Sequence, residues 1–327
     1  MMHVIGCRVL RHATWLAIPL LVVSGCAQTE AKPLNPHHTA PAPGMTAALN
    51  GLTSQSPREA ARLQLALDML IANCMRSRSY TFDVPHLPMP PAGATASSAY
   101  GLISAPAASR QGYGITANFL LNEEDTRLGS ELQPDAHQAG FRGALIGTSA
   151  AARSIRLPGG GHVAFNANGC STIAVNRLYG KSWGSVYYTV SALAFRIVKA
   201  VETSVTWKKA AGAWSRCIRE VYGTFFPNPS AAEGPVSNKA SAQLAGLSGV
   251  RLTKRLGLVR AGEIRLATAD ARCQARSGLT AAASKAQHTA ELPYLKRYAG
   301  DLKTYAADMH HAAQVATAEL KQPHGLS

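Results

Sequence analysis

The chain has 327 residues and a formal net charge of +15. Its basic residues are scattered rather than grouped, only 6% of its residues are aromatic, and no zinc-finger, helix-turn-helix or RNA-recognition pattern occurs, so we expect no nucleic-acid partner. No second run of about 20 apolar residues follows the N-terminal one, so we expect the body of the protein to lie outside the membrane.

Residues 1–25 have the pattern of an export signal, with two arginines before an apolar stretch. That stretch, Trp15–Val23, is too short to cross a hydrocarbon core of about 30 Å as a mature helix. Val23–Cys26 is similar to the lipobox of bacterial lipoproteins, which predicts that Cys26 is acylated and becomes the first mature residue. The alternative is a plain secretory signal in which Cys26 is incidental. Two or more acyl chains would anchor the protein on the extracytoplasmic face of the cell membrane, in the cell envelope.

Residues 26–55 are low in apolar content and rich in proline, alanine, threonine and histidine. Such a segment buries too little surface to offset its ordering entropy, so we predict a flexible tether. We predict one globular, mainly helical domain over residues 56–322 and a disordered tail over residues 323–327. Loss of the two signal arginines lowers the net charge from +15 to +13. This charge would attract the body to anionic headgroups and wall polymers, unless it only keeps the protein soluble.

Four cysteines remain after the signal and the acylated position: Cys74, Cys170, Cys217 and Cys273. An even number of cysteines in an exported chain predicts two disulfides. Their spacing does not match a zinc site, and we expect no metal or other cofactor. Three pairings are open. We favour Cys74–Cys170 and Cys217–Cys273, because each pair joins consecutive helices and avoids crossed loops.

Helical patterns accompany the first two of these cysteines. Ser56–Glu59 has the form of a capping box, and the apolar stripe that follows it ends at Cys74. A short helix is predicted over residues 171–179, directly after the second cysteine, and Gly180 is predicted to end it.

Helical patterns also accompany the other two cysteines. Residues 185–222 are predicted to be helical, as one helix or two, with Cys217 facing inward beside Trp214. Ala269 and Cys273 share one face of a further helix. All four thiols are therefore expected near the core.

The middle of the chain contains the extended elements. A proline-rich segment over residues 82–111 cannot form a continuous helix and is predicted to be a long surface loop. Short strands are predicted over residues 113–116, 154–157 and 162–165, and the last two flank Pro158–Gly161, which is typical of a hairpin turn. The predicted fold class is α+β and mainly α, a helical body with a small β-hairpin region, cross-linked by two disulfides.

The C-terminal part has the most regular apolar pattern, with steps of three and four residues that resemble a coiled-coil seam. Its members are Leu295, Tyr298, Leu302, Tyr305, Met309, Ala312, Ala316 and Leu320. Pro293 is predicted to start or kink this helix. We expect the helix to pack against residues 63–74 or 185–222 of the same chain, so that the protein is a monomer; dimerisation through the seam is the alternative.

The segments around the cysteines resemble those of a family of uncharacterised secreted proteins and lipoproteins from actinobacteria. The matching segments are Cys74–Arg76 with Tyr80, Tyr113–Ile115, Asn168–Gly180, Trp214–Gly223, and Ala269–Cys273 with Gly278 and Leu279. The chain departs from this pattern at Ser79, where the family usually has glycine. The resemblance implies an envelope location and helices joined by cystines, and it assigns no catalytic residue.

The sequence contains no nucleophile elbow and no zinc-protease helix. The acidic run Glu123–Asp125 is expected to be solvated, and Asp270 is expected either to pair with Arg216 or Arg219 or, preferably, to be exposed. The first hypothesis is therefore a non-catalytic, lipid-anchored envelope protein that binds a wall polymer or another exported protein. The alternative is an extracellular hydrolase whose active site is assembled from loops within residues 82–165.

Overall fold

A computed structural model describes residues 56–84, 89–90, 98–117, 119, 133–247 and 249–321. The predicted signal, Cys26, the tether and the tail lie outside these residues, and so does the acidic run Glu123–Asp125.

The described elements follow one another in this order. They are α1 (Pro57–Ser77), α2 (Ala105–Gln111), α3 (Phe141–Ile146), β1 (Ala152–Arg156), β2 (His162–Asn166), α4 (Cys170–Tyr179), α5 (Trp183–Thr203), α6 (Val205–Tyr222), α7 (Pro229–Leu244), α8 (Gly249–Ser277), α9 (Leu279–Arg297) and α10 (Ala299–Glu319). A turn of 3-10 helix precedes β1. The fold is therefore mainly helical with one small antiparallel sheet, as predicted.

Helix α1 begins as the capping box predicts. Ser56 is the N-cap, and its Oγ accepts a hydrogen bond from the backbone N–H of Glu59 at 3.1 Å. At the other end, Ser79 has φ +65, the left-handed conformation that favours glycine. The resemblance predicts glycine at this position, and the backbone there has a conformation that favours glycine.

The helices around the next two cysteines are also close to prediction. Helix α4 begins at Cys170, and Gly180, with φ +102, ends it. Residues 185–222 form two helices, because the extended backbone of Ser204 separates α5 from α6. The Oγ of Ser204 accepts from the N–H of Trp207 at 3.2 Å and so caps α6.

The hairpin is confirmed, but the first predicted strand is wrong. Strands β1 and β2 are antiparallel, with Ile155 opposite Val163. Residues 113–114 lie in a turn and residues 115–117 are helical. The N–H groups of Ile115 and Thr116 donate to the carboxylate of Glu263, so they begin a helix instead of pairing with a strand.

The prediction that residues 82–111 form a surface loop is wrong for the second half of that segment. Tyr100, Leu102 and Ala108 are buried, and α2 packs against α8. Ser104 caps α2 by accepting from the N–H of Ala107 at 3.3 Å. This segment therefore contributes side chains to the core.

One hydrophobic cluster contains residues from α1 through α10. Helix α1 packs against α4 and α10, α6 packs against α8 and α9, and α5 packs against α9 and α10. The C-terminal helix thus lies on α1 and α5 of its own chain, as expected. Pro293 lies inside α9 rather than at the start of α10, so Leu295 belongs to the preceding helix.

Within the described residues, no helix combines the length and the apolar character that a membrane-spanning segment requires.

Candidate functional site

The four cysteines form the two predicted disulfides. Cys74 at the end of α1 is bonded to Cys170 at the start of α4, and Cys217 in α6 is bonded to Cys273 in α8. The Cα atoms of each pair are 5.6 Å apart. Each bond joins two helices that pack against each other. Such bonds are typical of proteins outside the reducing cytoplasm.

Asp270 is the centre of a buried polar cluster, and both sequence expectations for it are wrong. Its carboxylate has no exposed surface and forms no ion pair with an arginine of the described residues. Its Oδ2 accepts from the hydroxyl of Tyr113 at 2.9 Å. Its Oδ1 accepts from Nε1 of Trp214 at 2.7 Å and from Nε2 of Gln274 at 2.8 Å. Neutral donors thus satisfy this carboxylate in place of an arginine.

The cluster also orders the segment before α2. The amide of Gln274 donates to the carbonyl of Gly101 at 2.9 Å, and its Oε1 accepts from the N–H of Ile103 at 3.0 Å. Because the same amide donates to Asp270, one network connects α6, α8 and this segment. Burial raises the pKa of Asp270 to about 6, although the hydrogen bonds from Gln274, Tyr113 and Trp214 act in the opposite direction.

A second buried carboxylate, Glu263, lies two turns before Asp270 on α8. Its Oε1 accepts from the N–H of Ile115 at 2.8 Å, and its Oε2 accepts from both the N–H and the hydroxyl of Thr116. Gly112 allows this close approach, because a Cβ there would lie 2.6 Å from Cγ of Glu263. Gly112 also has φ +64, so a side chain at this position would be disfavoured twice.

A third acidic side chain, Glu233 on α7, lies close enough to Asp270 and Glu263 for their charges to shift its pKa. Burial together with the charges of Asp270 and Glu263 raises its pKa to about 7. Asp270 and Glu263 have almost no exposed surface, and their oxygens are occupied by donors of the protein. No group of three or more histidine, cysteine or acidic side chains in the described part of the chain could hold a metal ion. The hydrogen bonds and burial give Asp270 and Glu263 a role in stability.

The exposed charge of α8 has one sign. The helix carries seven basic residues and two acidic ones, Glu263 and Asp270. Both acidic side chains are buried, whereas all seven basic residues are exposed. At about 100° per residue, six of them fall within an arc of about 100° on the helix surface. These six define the cationic face of α8: Arg251, Lys254, Arg255, Arg265, Arg272 and Arg276.

The cationic face is a long row rather than a cluster. Its first and last residues, Arg251 and Arg276, are about 38 Å apart along the helix axis. Lys239 of α7 lies next to this face, near Arg265. Its Nζ and the Nη2 of Arg265 are 3.8 Å and 3.9 Å from the same point, the position that a Cβ on Gly262 would occupy. None of the six residues forms an ion pair with another described residue.

A groove of about 310 Å³ lies at the C-terminal end of α6, on the helix that the second disulfide joins to α8. It is lined by Gly212, Ser215, Arg216, Arg219, Phe225 and Pro227. Its lining therefore has two cations and an aromatic ring and no acidic or histidine side chain. The groove also lies outside residues 82–165, where an active site was expected under the hydrolase alternative.

Comparison with protein-family models, with curated proteins and with solved structures gives no match. The fold and the sites therefore define the class on their own: a mainly helical, disulfide-bonded protein with a cationic helix face. Sequence reasoning missed that face because it looked for blocks of adjacent basic residues. The signal was present at a helical period of 3.6 residues over 249–277.

Proposed function

We propose that the protein is a lipid-anchored component of the cell envelope that binds an anionic wall polymer through the cationic face of α8 and catalyses no reaction. The observation that carries this proposal is the sorting of charge on α8, where every acidic side chain is buried and every basic one is exposed. The lipobox-like run ending at Cys26 and the two disulfides support an extracytoplasmic location.

A polymer is favoured over a small anion because the cations form a row. A small ligand would touch two or three of them, whereas a chain of repeated phosphates would follow about 38 Å of helix and contact most of them. Binding of this kind is multivalent, so individually weak surface contacts add up to useful affinity. Exposed charges are also screened by salt, so affinity should fall steeply as ionic strength rises.

The hydrolase alternative has less support. Of the three carboxylates Asp270, Glu263 and Glu233, the first two are buried with their oxygens occupied by donors of the protein, and the groove on α6 is lined by arginines. General acid–base hydrolysis needs a titratable pair that a substrate can reach. Another exported protein as partner remains an outcome of the binding experiment.

The experiment uses the chain from residue 26 with Cys26→Ser, so that no lipid contributes to binding. Binding to poly(glycerol phosphate) is measured by isothermal titration calorimetry at low and at physiological salt. In the test variant Lys254, Arg265 and Arg272 are replaced by Gln. In the matched control Lys285, Lys296 and Lys303, which are exposed on α9 and α10, are replaced by Gln. Both variants lose three positive charges.

The test variant should bind about tenfold more weakly or worse, whereas the control should stay within about twofold of the parent protein. Equal losses in the two variants would mean that net charge alone drives binding, and the proposed site on α8 would be wrong. Absence of salt-sensitive binding by the parent protein would reject the polymer as partner and would leave an exported protein as the remaining hypothesis.

A further inference from the structure

We propose that the groove at the end of α6 binds the headgroups of anionic lipids and that Phe225 inserts into the apolar edge of the bilayer. This surface shares no residue with the cationic face of α8 and would hold the body of the protein against the membrane. The proposed contact does not require acylation of Cys26, so it can be tested on protein without lipid.

The loop after α6 holds Phe225 outward. Gly223, with φ +79, ends the helix in the left-handed conformation. Phe226 is only 5% exposed, and its carbonyl accepts a hydrogen bond from the hydroxyl of the buried Ser215 at 2.5 Å. The preceding side chain, Phe225, is 63% exposed. One phenylalanine therefore fixes the loop to the core, and its neighbour is presented to the surroundings at a defined place.

The two arginines of the groove are available for an anion. Neither Arg216 nor Arg219 forms an ion pair or a side-chain hydrogen bond with a described residue. By contrast, Arg177 pairs with Glu319 at 2.9 Å, and the guanidinium of Arg78 donates to two backbone carbonyls. The guanidinium of Arg216 lies over Gly212, since its Nη1 is 4.0 Å from the position that a Cβ on Gly212 would occupy.

The mixture of chemistry in this groove favours a lipid over a wall polymer. Phe225 and Pro227 are exposed in the groove with the two arginines, and Tyr222, three residues after Arg219, is also exposed. A phosphate polymer would satisfy the arginines but would leave the aromatic rings in water. An anionic phospholipid provides a phosphate for the guanidinium groups and hydrocarbon for Phe225, and tyrosine is favoured at the level of the headgroups.

The test is vesicle binding by the chain from residue 26 with Cys26→Ser. Vesicles are made of phosphatidylcholine alone or with about one third phosphatidylglycerol. One variant combines Arg216→Ala with Arg219→Ala, and its matched control combines Arg153→Ala with Arg156→Ala on the exposed strand β1, with the same spacing. A second variant is Phe225→Ala, and its control is Phe195→Ala, an exposed phenylalanine of α5. Near-ultraviolet circular dichroism checks that each variant is folded.

We expect the parent protein to bind the vesicles with phosphatidylglycerol and not those without it. The double arginine variant should lower the partition coefficient by about tenfold or more, and Phe225→Ala by about fivefold to tenfold. Both controls should stay within about twofold. In addition, the tryptophan emission of Phe225→Trp should shift to shorter wavelength when vesicles are added and should be quenched by brominated lipid. The emission of Phe195→Trp should show neither change.

Three results would overturn the inference. The first is no binding of the parent protein to anionic vesicles, and the second is unchanged binding in both the double arginine variant and Phe225→Ala. The third is displacement of the protein from the vesicles by soluble poly(glycerol phosphate), together with no effect of Phe225→Ala. The last result would assign the groove to a hydrophilic phosphate ligand instead. The variant with Lys254, Arg265 and Arg272 replaced by Gln separates this inference from the proposed function. It should lose polymer binding yet keep the quenching of Phe225→Trp by brominated lipid.

Discussion

The hydroxyl of Tyr113 donates a hydrogen bond of 2.9 Å to the carboxylate of Asp270, 157 residues later in the chain. This contact joins the turn before the helical residues 115–117 to the C-terminal half of α8. The same carboxylate accepts from Trp214 of α6, so one buried acid holds three parts of the fold together. A charged acceptor in such a site makes each of its hydrogen bonds stronger than a neutral one.

Removing the donor should therefore be costly. We expect Tyr113→Phe to lower the free energy of unfolding by about 1.5–3 kcal/mol, because it keeps the ring and removes one bond to a buried charge. Urea denaturation followed by tryptophan fluorescence measures this change. Tyr298→Phe, at a partly buried position at the junction of α9 and α10, is the control and should change stability by less than about 0.5 kcal/mol. Equal effects of the two variants would contradict the assigned role.

Glu233 should make the protein less stable as the solution becomes more alkaline. Its pKa is raised from 4.5 in the reference state to about 7 in the folded protein. The folded state therefore binds the proton more tightly than the unfolded state. This contribution is fully present below about pH 4.5 and is lost as the pH rises through about 7. The pKa of Asp270, raised to about 6, likewise makes the protein less stable as the pH rises.

We expect Glu233→Gln to raise the free energy of unfolding at pH 8 by about 1–2 kcal/mol, since solvent screens this half-buried group in part. The variant should also show a flatter profile of stability between pH 4.5 and 7. Glu220→Gln, an exposed position on α6, is the control and should leave the profile unchanged. A profile for Glu233→Gln that matches the parent protein would disprove the coupling.

The disulfide between α6 and α8 should contribute a large part of the net stability. It closes a loop with a sequence separation of 56 residues, which in the chain-entropy account corresponds to about 4 kcal/mol. We expect Cys217→Ala with Cys273→Ala to lose about this amount in urea denaturation. Peptide mapping without reductant should recover Cys74 with Cys170 in the same variant. A loss below about 1 kcal/mol would show that packing alone holds the two helices together.

Ser79 should be a position where glycine is better than the native residue. Its φ of +65 is disfavoured for a residue with a side chain, and glycine removes that cost while adding some entropy to the unfolded chain. We expect Ser79→Gly to raise the free energy of unfolding by about 0.5–1 kcal/mol. The control, Ser77→Gly, lies in the last turn of α1 and should be destabilising by a similar amount. A loss of stability in Ser79→Gly would refute the prediction.

Acylation of Cys26 is tested on protein recovered from a bacterial host with a lipoprotein pathway. Intact mass spectrometry should find a chain that starts at Cys26 and carries a diacylglyceryl modification. Cys26→Ser should abolish the modification and shift the protein from the membrane fraction. An unmodified mature N-terminus would favour the plain secretory signal, and an intact methionine start would exclude export through this signal.

Features that depend on a few neighbouring residues were predictable from the sequence. The cap of α1 at Ser56, the end of α4 at Gly180 and the hairpin over residues 152–166 all follow from local backbone preferences and hydrogen bonds. The sequence also predicts the pairing of Cys217 with Cys273, on the ground that it joins consecutive helices and avoids crossed loops. The pairing is confirmed, although α7 lies between the two helices.

Features that depend on a distant partner were not predictable. Residues 113–116 have the composition of a strand. The N–H groups of Ile115 and Thr116 nevertheless donate to Glu263, 148 residues after Ile115, and these two residues begin a helix. Asp270 looked like a surface residue because its donors, Tyr113 and Trp214, come from elements that only folding brings to α8. Local patterns set where helices begin, where they end and which side is apolar. The burial of the Asp270 carboxylate, by contrast, follows from packing between segments far apart in the chain.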